Sequence, residues 1–171
     1  MPNEAHNERI VDQFTRQATP FSTASPITDA NALRMIVEAA DPRPSDTVLD
    51  VACGGGIVVC AFAPHVGQAT GVDMTPAMLD RARQLATEKG IANVTWDRGD
   101  VGRLPYDDGA FDIVVTRFSM HHFLDPLAVM REMVRVMPLP TLSDIVNTAS
   151  RVPSGESAPP AVPTRSTRSP A

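Results

Sequence analysis

The chain has 171 residues, 43% of them hydrophobic, which suits one domain with a single sizeable core. Fifteen basic against 20 acidic residues give a net charge of −5 with no Lys/Arg cluster, so the composition argues against a nucleic-acid partner. No apolar run approaches the ~20 residues that a membrane span needs, and Cys53 and Cys60 form no disulfide framework, so a cytoplasmic protein with two buried thiols is expected.

Residues 8–18 carry Ile10, Val11, Phe14 and Ala18 at helical spacing, and residues 29–40 carry Leu33, Ile36, Val37 and Ala40 likewise. Two amphipathic helices therefore precede the first strand, and Asp41-Pro42-Arg43-Pro44 ends the second, because proline lacks an N–H and disfavours helical geometry before it. Strands are expected at 47–52, 69–73, 93–97 and 111–118; these read as short apolar runs, the pattern of parallel strands covered on both faces. Between the second and third strands, Thr75 is placed to cap a helix with Pro76 in its first turn, an inward stripe of Met78, Leu79, Ala82, Leu85 and Ala86, and Gly90 at its end. Asp125-Pro126 opens a further helix, for which Leu127, Met130, Val134 and Met137 are expected to face inward. Alternation of this kind implies an α/β fold with a parallel sheet and right-handed crossovers.

After Met137 the composition changes: residues 138–171 hold seven of the sixteen prolines and few large apolar side chains after Val146. Such a segment buries too little apolar surface to offset its ordering entropy, so disorder is expected over 147–171. The resulting division is an N-terminal helical region (1–44), a core (45–146) and the tail.

The chemistry gathers at the strand ends. Thr47 to Ala52 run into Cys53-Gly54-Gly55-Gly56, and the next strand ends in Asp73. A glycine turn after a first strand serves dinucleotides, mononucleotides and purely structural turns alike. Here the third glycine of a dinucleotide fingerprint is replaced by Val59, and Asp50 stands four residues before Gly54, where it would repel a diphosphate. A carboxylate in that place suits a cationic ligand without phosphate, such as S-adenosylmethionine. Asp73 can accept from both ribose hydroxyls, and Asp100 at the end of the third strand can accept from an adenine amino group beside the backbone of Val101.

Taken together, Val48 to Gly56, Gly71 to Leu79, Gly99-Asp100-Val101, Leu104 to Asp112 and Thr116 to Phe123 resemble the successive motifs of class I S-adenosylmethionine-dependent methyltransferases. The resemblance is strongest to the subgroup of ubiquinone/menaquinone-biosynthesis C-methyltransferases, and it covers roughly residues 8 to 137. It implies a Rossmann-like three-layer α/β/α sandwich and a helical lid over the acceptor. It assigns Asp50 and Gly54, Gly55 and Gly56 to the methionine part, Asp73 to the ribose, Met74 to the adenine face, Asp100 and Val101 to the adenine edge, and Arg117 to the cofactor. Gly55 stands where the family often has Thr, so a hydroxyl contact is absent. His121 and His122 lie where a general base could sit, since histidine titrates near neutral pH. The plainer reading of these histidines is helix-start or packing residues; of Arg117, an ordinary ion-pair partner; of Cys53, a small core residue. No metal site is expected.

The sequence departs from the family after Met137. The usual basic-Pro-Gly-Gly turn is missing, a compressed fifth strand ending at Ser143 to Val146 is expected from the stretch Pro138 to Val146, and the last two strands are expected to be lost, leaving a sheet edge open to a second copy as a homodimer. Two functions remain in view: methyl transfer to a small-molecule or lipid-like acceptor, or a truncated remnant that binds the cofactor or a protein partner without turnover. A nicotinamide oxidoreductase is contradicted by Asp50 and Val59.

Overall fold

The computed structural model describes residues 2–23 and 25–138, all within one compact unit. The expected fifth strand and the 147–171 tail lie outside the described residues. Helices α1 (Pro2–Thr23), α2 (Ser25–Thr28) and α3 (Ala30–Ala40) come first, and α1 extends beyond the expected 8–18 with Pro20 inside it. The apolar stripe marks only the middle of α1, because its first turns are polar yet compatible with a helix. Helix α3 starts where Asp29 accepts from the backbone N–H groups of Asn31 (2.9 Å) and Ala32 (3.2 Å), and ends at Asp41 in the left-handed region (φ 46°).

Strand β1 (Thr47–Val51) is followed by α4 (Ile57–Phe62), β2 (Gln68–Asp73), α5 (Pro76–Glu88), β3 (Val94–Arg98), β4 (Ile113–Val115) and α6 (Pro126–Arg135), with short 3-10 turns at Ala63–His65 and Met120–His122. The four strands pair in parallel in the order β3-β2-β1-β4. Their existence and direction match the sequence reading, although β4 is shorter than 111–118. Thr116 explains its early end: the hydroxyl donates to the carbonyl of Val51 (2.7 Å) and meets the Ser119 hydroxyl (2.6 Å), which turns the chain out of the ladder. At the other end, Asp112 accepts from both the backbone N–H (2.8 Å) and the hydroxyl (2.9 Å) of Thr47, which fixes the β1–β4 register.

The core has two layers, one on each face of the sheet. Val48, Val59, Phe62, Ala69 and Leu79 belong to one; Leu49, Val51, Val72, Phe111, Val129 and Val136 belong to the other. Burial on both faces is why β1 and β2 read as continuous apolar runs. Thr75 occupies the cap position of α5 without a side-chain cap bond, and Gly90 follows that helix at φ 66°.

One expectation is corrected at α6. Leu127, Met130 and Val134 are exposed (62%, 49% and 51%), and Met137 is only half-buried; the buried side chains are Val129 and Val136, with Met133 packed beside them. The helix carries two apolar stripes, and its polar residues choose between them. Glu132 accepts from the backbone N–H of Leu104 (2.8 Å), and Arg135 donates to the carbonyls of Leu104 and Tyr106 and to Asp108. These bonds turn the Val129–Val136 side toward the sheet.

Candidate active site

The chain lays β1, β2 and β3 outward in one direction and then returns to place β4 on the other side of β1. In an open parallel sheet, the reversal leaves a crevice at the carboxyl ends of the strands flanking it. The glycine turn stands at that crevice. Gly54 (φ 51°) and Gly56 (φ 77°) take left-handed geometry, and Ala52 (φ 58°) does so without being glycine. A Cβ on Gly56 would lie 2.5 Å from the Trp96 ring and 2.7 Å from the Ala82 methyl, so this glycine also lets α4 approach β3 and α5.

Asp73 fastens the turn. Its Oδ2 accepts from the backbone N–H of Gly54 (2.9 Å), and its Oδ1 accepts from that of Thr75 (2.8 Å). Burial pushes the Asp73 carboxyl up, and these backbone donors oppose the rise. Each oxygen keeps a second lone pair for a ligand.

Asp50, paired in register with Gly71 on β2 and Val115 on β4, is 2% exposed. Its Oδ1 is buried with no hydrogen-bond partner. Burial, reinforced by the charge of Asp73, raises its carboxyl well above the usual carboxylate range, while Arg117 pulls it down. A buried acceptor left unsatisfied destabilises a fold, so its persistence beside a cavity points to a ligand that supplies a donor. The nearby thiols are passive. Burial raises Cys53 well above the usual thiol range and pushes Cys60 up to about 11.

The cavity has a volume of about 480 Å³, within the range of small-molecule and cofactor sites. It brings together Asp50, Gly54, Gly55, Asp73, Met74, Asp100, Val101, Arg117 and His122. Gly56 lies beneath, against Trp96, and His121 is exposed and outside the lining. Asp100 is exposed, its Oδ1 accepting from the backbone N–H of Gly102 (2.9 Å) and its Oδ2 from the Asn7 side-chain amide (3.0 Å). Arg117 donates to the carbonyls of Ile27 and Pro26 (2.8 Å each), and its guanidinium sits 4.4 Å from the centroid of the Phe118 ring. The His122 ring lies 3.9 Å from that of His121, tilted by 46°, and meets the Phe14 ring edge-on at 4.9 Å. Burial first, then the neighbouring His121 and His6, lower its pKa, so it is neutral near pH 7.

The N-terminal wall of the cavity was not foreseen residue by residue. His6, Asn7, Ile10 and Phe14 of α1 and Ile27 of α2 line it, and the His6 Nε2 lies 2.9 Å from the carbonyl of His122. The four-residue spacing of His6, Ile10 and Phe14 is the signal that places them on one helix face. Phe118, Phe123, Leu124, Ala128 and Val129 add apolar lining, with Asp125 among them. Among the described residues no cluster of His, Cys, Asp or Glu could hold a metal ion.

Comparison with known proteins agrees with this geometry. The family profile described as a methyltransferase domain matches residues 48–138, more than half the chain. The uncharacterized methyltransferase YcgJ of Bacillus subtilis is 34% identical over 124 residues, covering 72% of this chain and 49% of the relative. The 2-phytyl-1,4-naphtoquinone methyltransferase of Synechococcus elongatus is 37% identical over 111 residues, covering 61% of this chain and 46% of the relative. The crystal structure of YcgJ superposes with a TM-score of 0.62 at 36% identity, covering 64% of this chain and 47% of that one. A methyltransferase structure from Aquifex aeolicus, at 21% identity and a TM-score of 0.62, shares the fold over 71% of this chain and 66% of its own. The chain thus spans about half the length of the curated relatives it matches. With a parallel sheet that reverses at β1, a glycine turn held by Asp73 and a methyltransferase profile running from Val48 to Pro138, the chain belongs to the class I S-adenosylmethionine-dependent methyltransferases.

Proposed function

We propose that this protein transfers a methyl group from S-adenosylmethionine to an uncharged small-molecule or lipid-like acceptor. The observation that carries this reading is Asp50: a residue of the cavity wall with a buried carboxyl oxygen that has no partner, in a cavity lined by both acidic and apolar groups. That donor set fits the cofactor, which brings ammonium and hydroxyl donors and no phosphate. Asp50 would hold the α-ammonium beside Gly54 and Gly55, Asp73 the ribose hydroxyls through its remaining lone pairs, and Asp100 with Val101 the adenine edge, with Met74 packed on its face. When bound, the cofactor supplies a methyl group that is already activated for displacement.

The remaining work falls to the chain: orienting the acceptor, excluding water and, for an acceptor that must lose a proton, receiving it. His122 is the base this reading favours, because it lines the cavity and is neutral near pH 7. Ile10, Phe14, Ile27, Phe123 and Leu124 suit an apolar acceptor, and a relative named for a phytyl naphthoquinone supports that class.

Calorimetric titration with S-adenosylmethionine tests the reading. Saturable binding by the folded protein that is lost in Asp73→Ala supports it; no heat from folded protein, or unchanged affinity in Asp73→Ala, refutes it. Because the chain spans half the length of its relatives, binding without turnover is the competing reading. Methyl label appearing in the apolar fraction of an extract incubated with labelled cofactor decides for transfer.

A further inference from the structure

We infer that Phe118 is a specificity-determining residue of this site, an aromatic platform fixed by Arg117 that selects acceptors presenting a flat, uncharged ring. The inference rests on the methyltransferase reading and deepens it.

Phe118 combines properties that ordinary packing does not require. Its backbone is left-handed (φ 57°), a strained conformation for a bulky side chain. Burial does not offset that strain, because the residue is 48% exposed and joins neither core layer. It lines the cavity instead. What holds it is polar. Thr116 donates to the carbonyl of Val51 and accepts from the Ser119 hydroxyl, which ties the tip of β4 down, and the two terminal guanidinium nitrogens of Arg117 are committed to Pro26 and Ile27.

The guanidinium lies 4.4 Å from the Phe118 centroid, so the cation covers one ring face and fixes its attitude. It can cover only one face, and the residue, 48% exposed and on the cavity wall, keeps ring surface uncovered. A fixed ring loses little entropy when a second ring stacks on it, and offset or edge-on stacking adds affinity beyond apolar area alone. A flexible hydrocarbon chain gains only the area term.

The test compares two probes with one carbon skeleton, planar 1-naphthol and its saturated counterpart decahydro-1-naphthol, titrated with and without S-adenosylhomocysteine. Phe118→Leu keeps apolar bulk and removes the ring, and is expected to weaken 1-naphthol about three- to tenfold, the size of an aromatic pair. The same variant leaves decahydro-1-naphthol and S-adenosylhomocysteine within about twofold, and Phe118→Trp retains 1-naphthol. Equal losses for both probes, no loss for either, or no 1-naphthol binding by the parent overturns the inference. Parent protein that binds 1-naphthol with this selectivity but not S-adenosylhomocysteine overturns the methyltransferase reading instead. The thermal midpoint of each variant separates loss of the platform from loss of the fold.

Discussion

Replacing Asp50 by Asn separates what this carboxyl does for a ligand from what it costs the fold. The side chain is 2% exposed, one oxygen has no partner, and burial together with Asp73 raises its folded-state pKa. A group whose folded pKa is raised contributes stability that is fully present below the unfolded value, about 3.9 for Asp, and is lost as pH rises through the folded value. Ligand-free parent protein therefore loses stability through that window, and Asp50→Asn does not. The variant should match the parent below the unfolded pKa and exceed it above, by about 1.4 kcal/mol for each pH unit crossed until the folded pKa is reached. At about 2–4 °C per kcal/mol for a chain of this size, the gain is readable in thermal melts from pH 5 to 9.

Ligand binding should move the other way. A charge-assisted hydrogen bond to an ammonium contributes about 1.5–3 kcal/mol, so S-adenosylhomocysteine should bind Asp50→Asn about 10- to 150-fold more weakly. Because the folded Asp50 pKa is raised, the parent's affinity for the cation should rise as pH passes through the folded value, where the carboxyl gives up its proton. Calorimetry in two buffers of different ionisation enthalpy reads that proton directly. A variant that binds as tightly as the parent, or that is less stable than it at pH 8, refutes the reasoning.

Gly56→Ala would place a methyl within 2.8 Å of Trp96 and Ala82 at φ 77°, and the left-handed and overpacking terms together predict a loss of about 2–5 kcal/mol in urea unfolding. The orientation of α6 is checked by a pair of changes: Val129→Ala should cost about 2 kcal/mol, and Leu127→Ser, at a 62% exposed position, should stay within about 0.5 kcal/mol. The reverse order would restore the inward placement of Leu127.

The sheet was legible because its signals are local. Continuous apolar runs at 47–52 and 69–73, Pro76 in the first turn of a helix and the glycine turn each act within a few residues, and the observed β1, β2 and α5 follow them closely. The failure at α6 has the same origin. Periodicity shows that 127, 130, 134 and 137 share a face, as do 129, 133 and 136, but not which face the sheet takes. The choice was made by Glu132 and Arg135 reaching back to Leu104, Tyr106 and Asp108, contacts 27 or more residues away that no local pattern encodes.

The same separation shapes the cavity. Asp100, Arg117 and His122 were singled out as groups facing a ligand, and all three line the cavity while also holding its N-terminal wall: Asp100 through Asn7, Arg117 through Pro26 and Ile27, His122 through His6 and Phe14. Asp50 makes no such contact. Its Oδ1 is buried without a partner on a residue that lines the cavity, whereas the other three have found substitutes within the chain. A ligand donor therefore gains most at Asp50, where it relieves an existing penalty, and less at Asp100, where it must share a carboxylate already accepting two hydrogen bonds. This ordering makes Asp50 the anchor of the site and leaves the adenine end to adjust around α1.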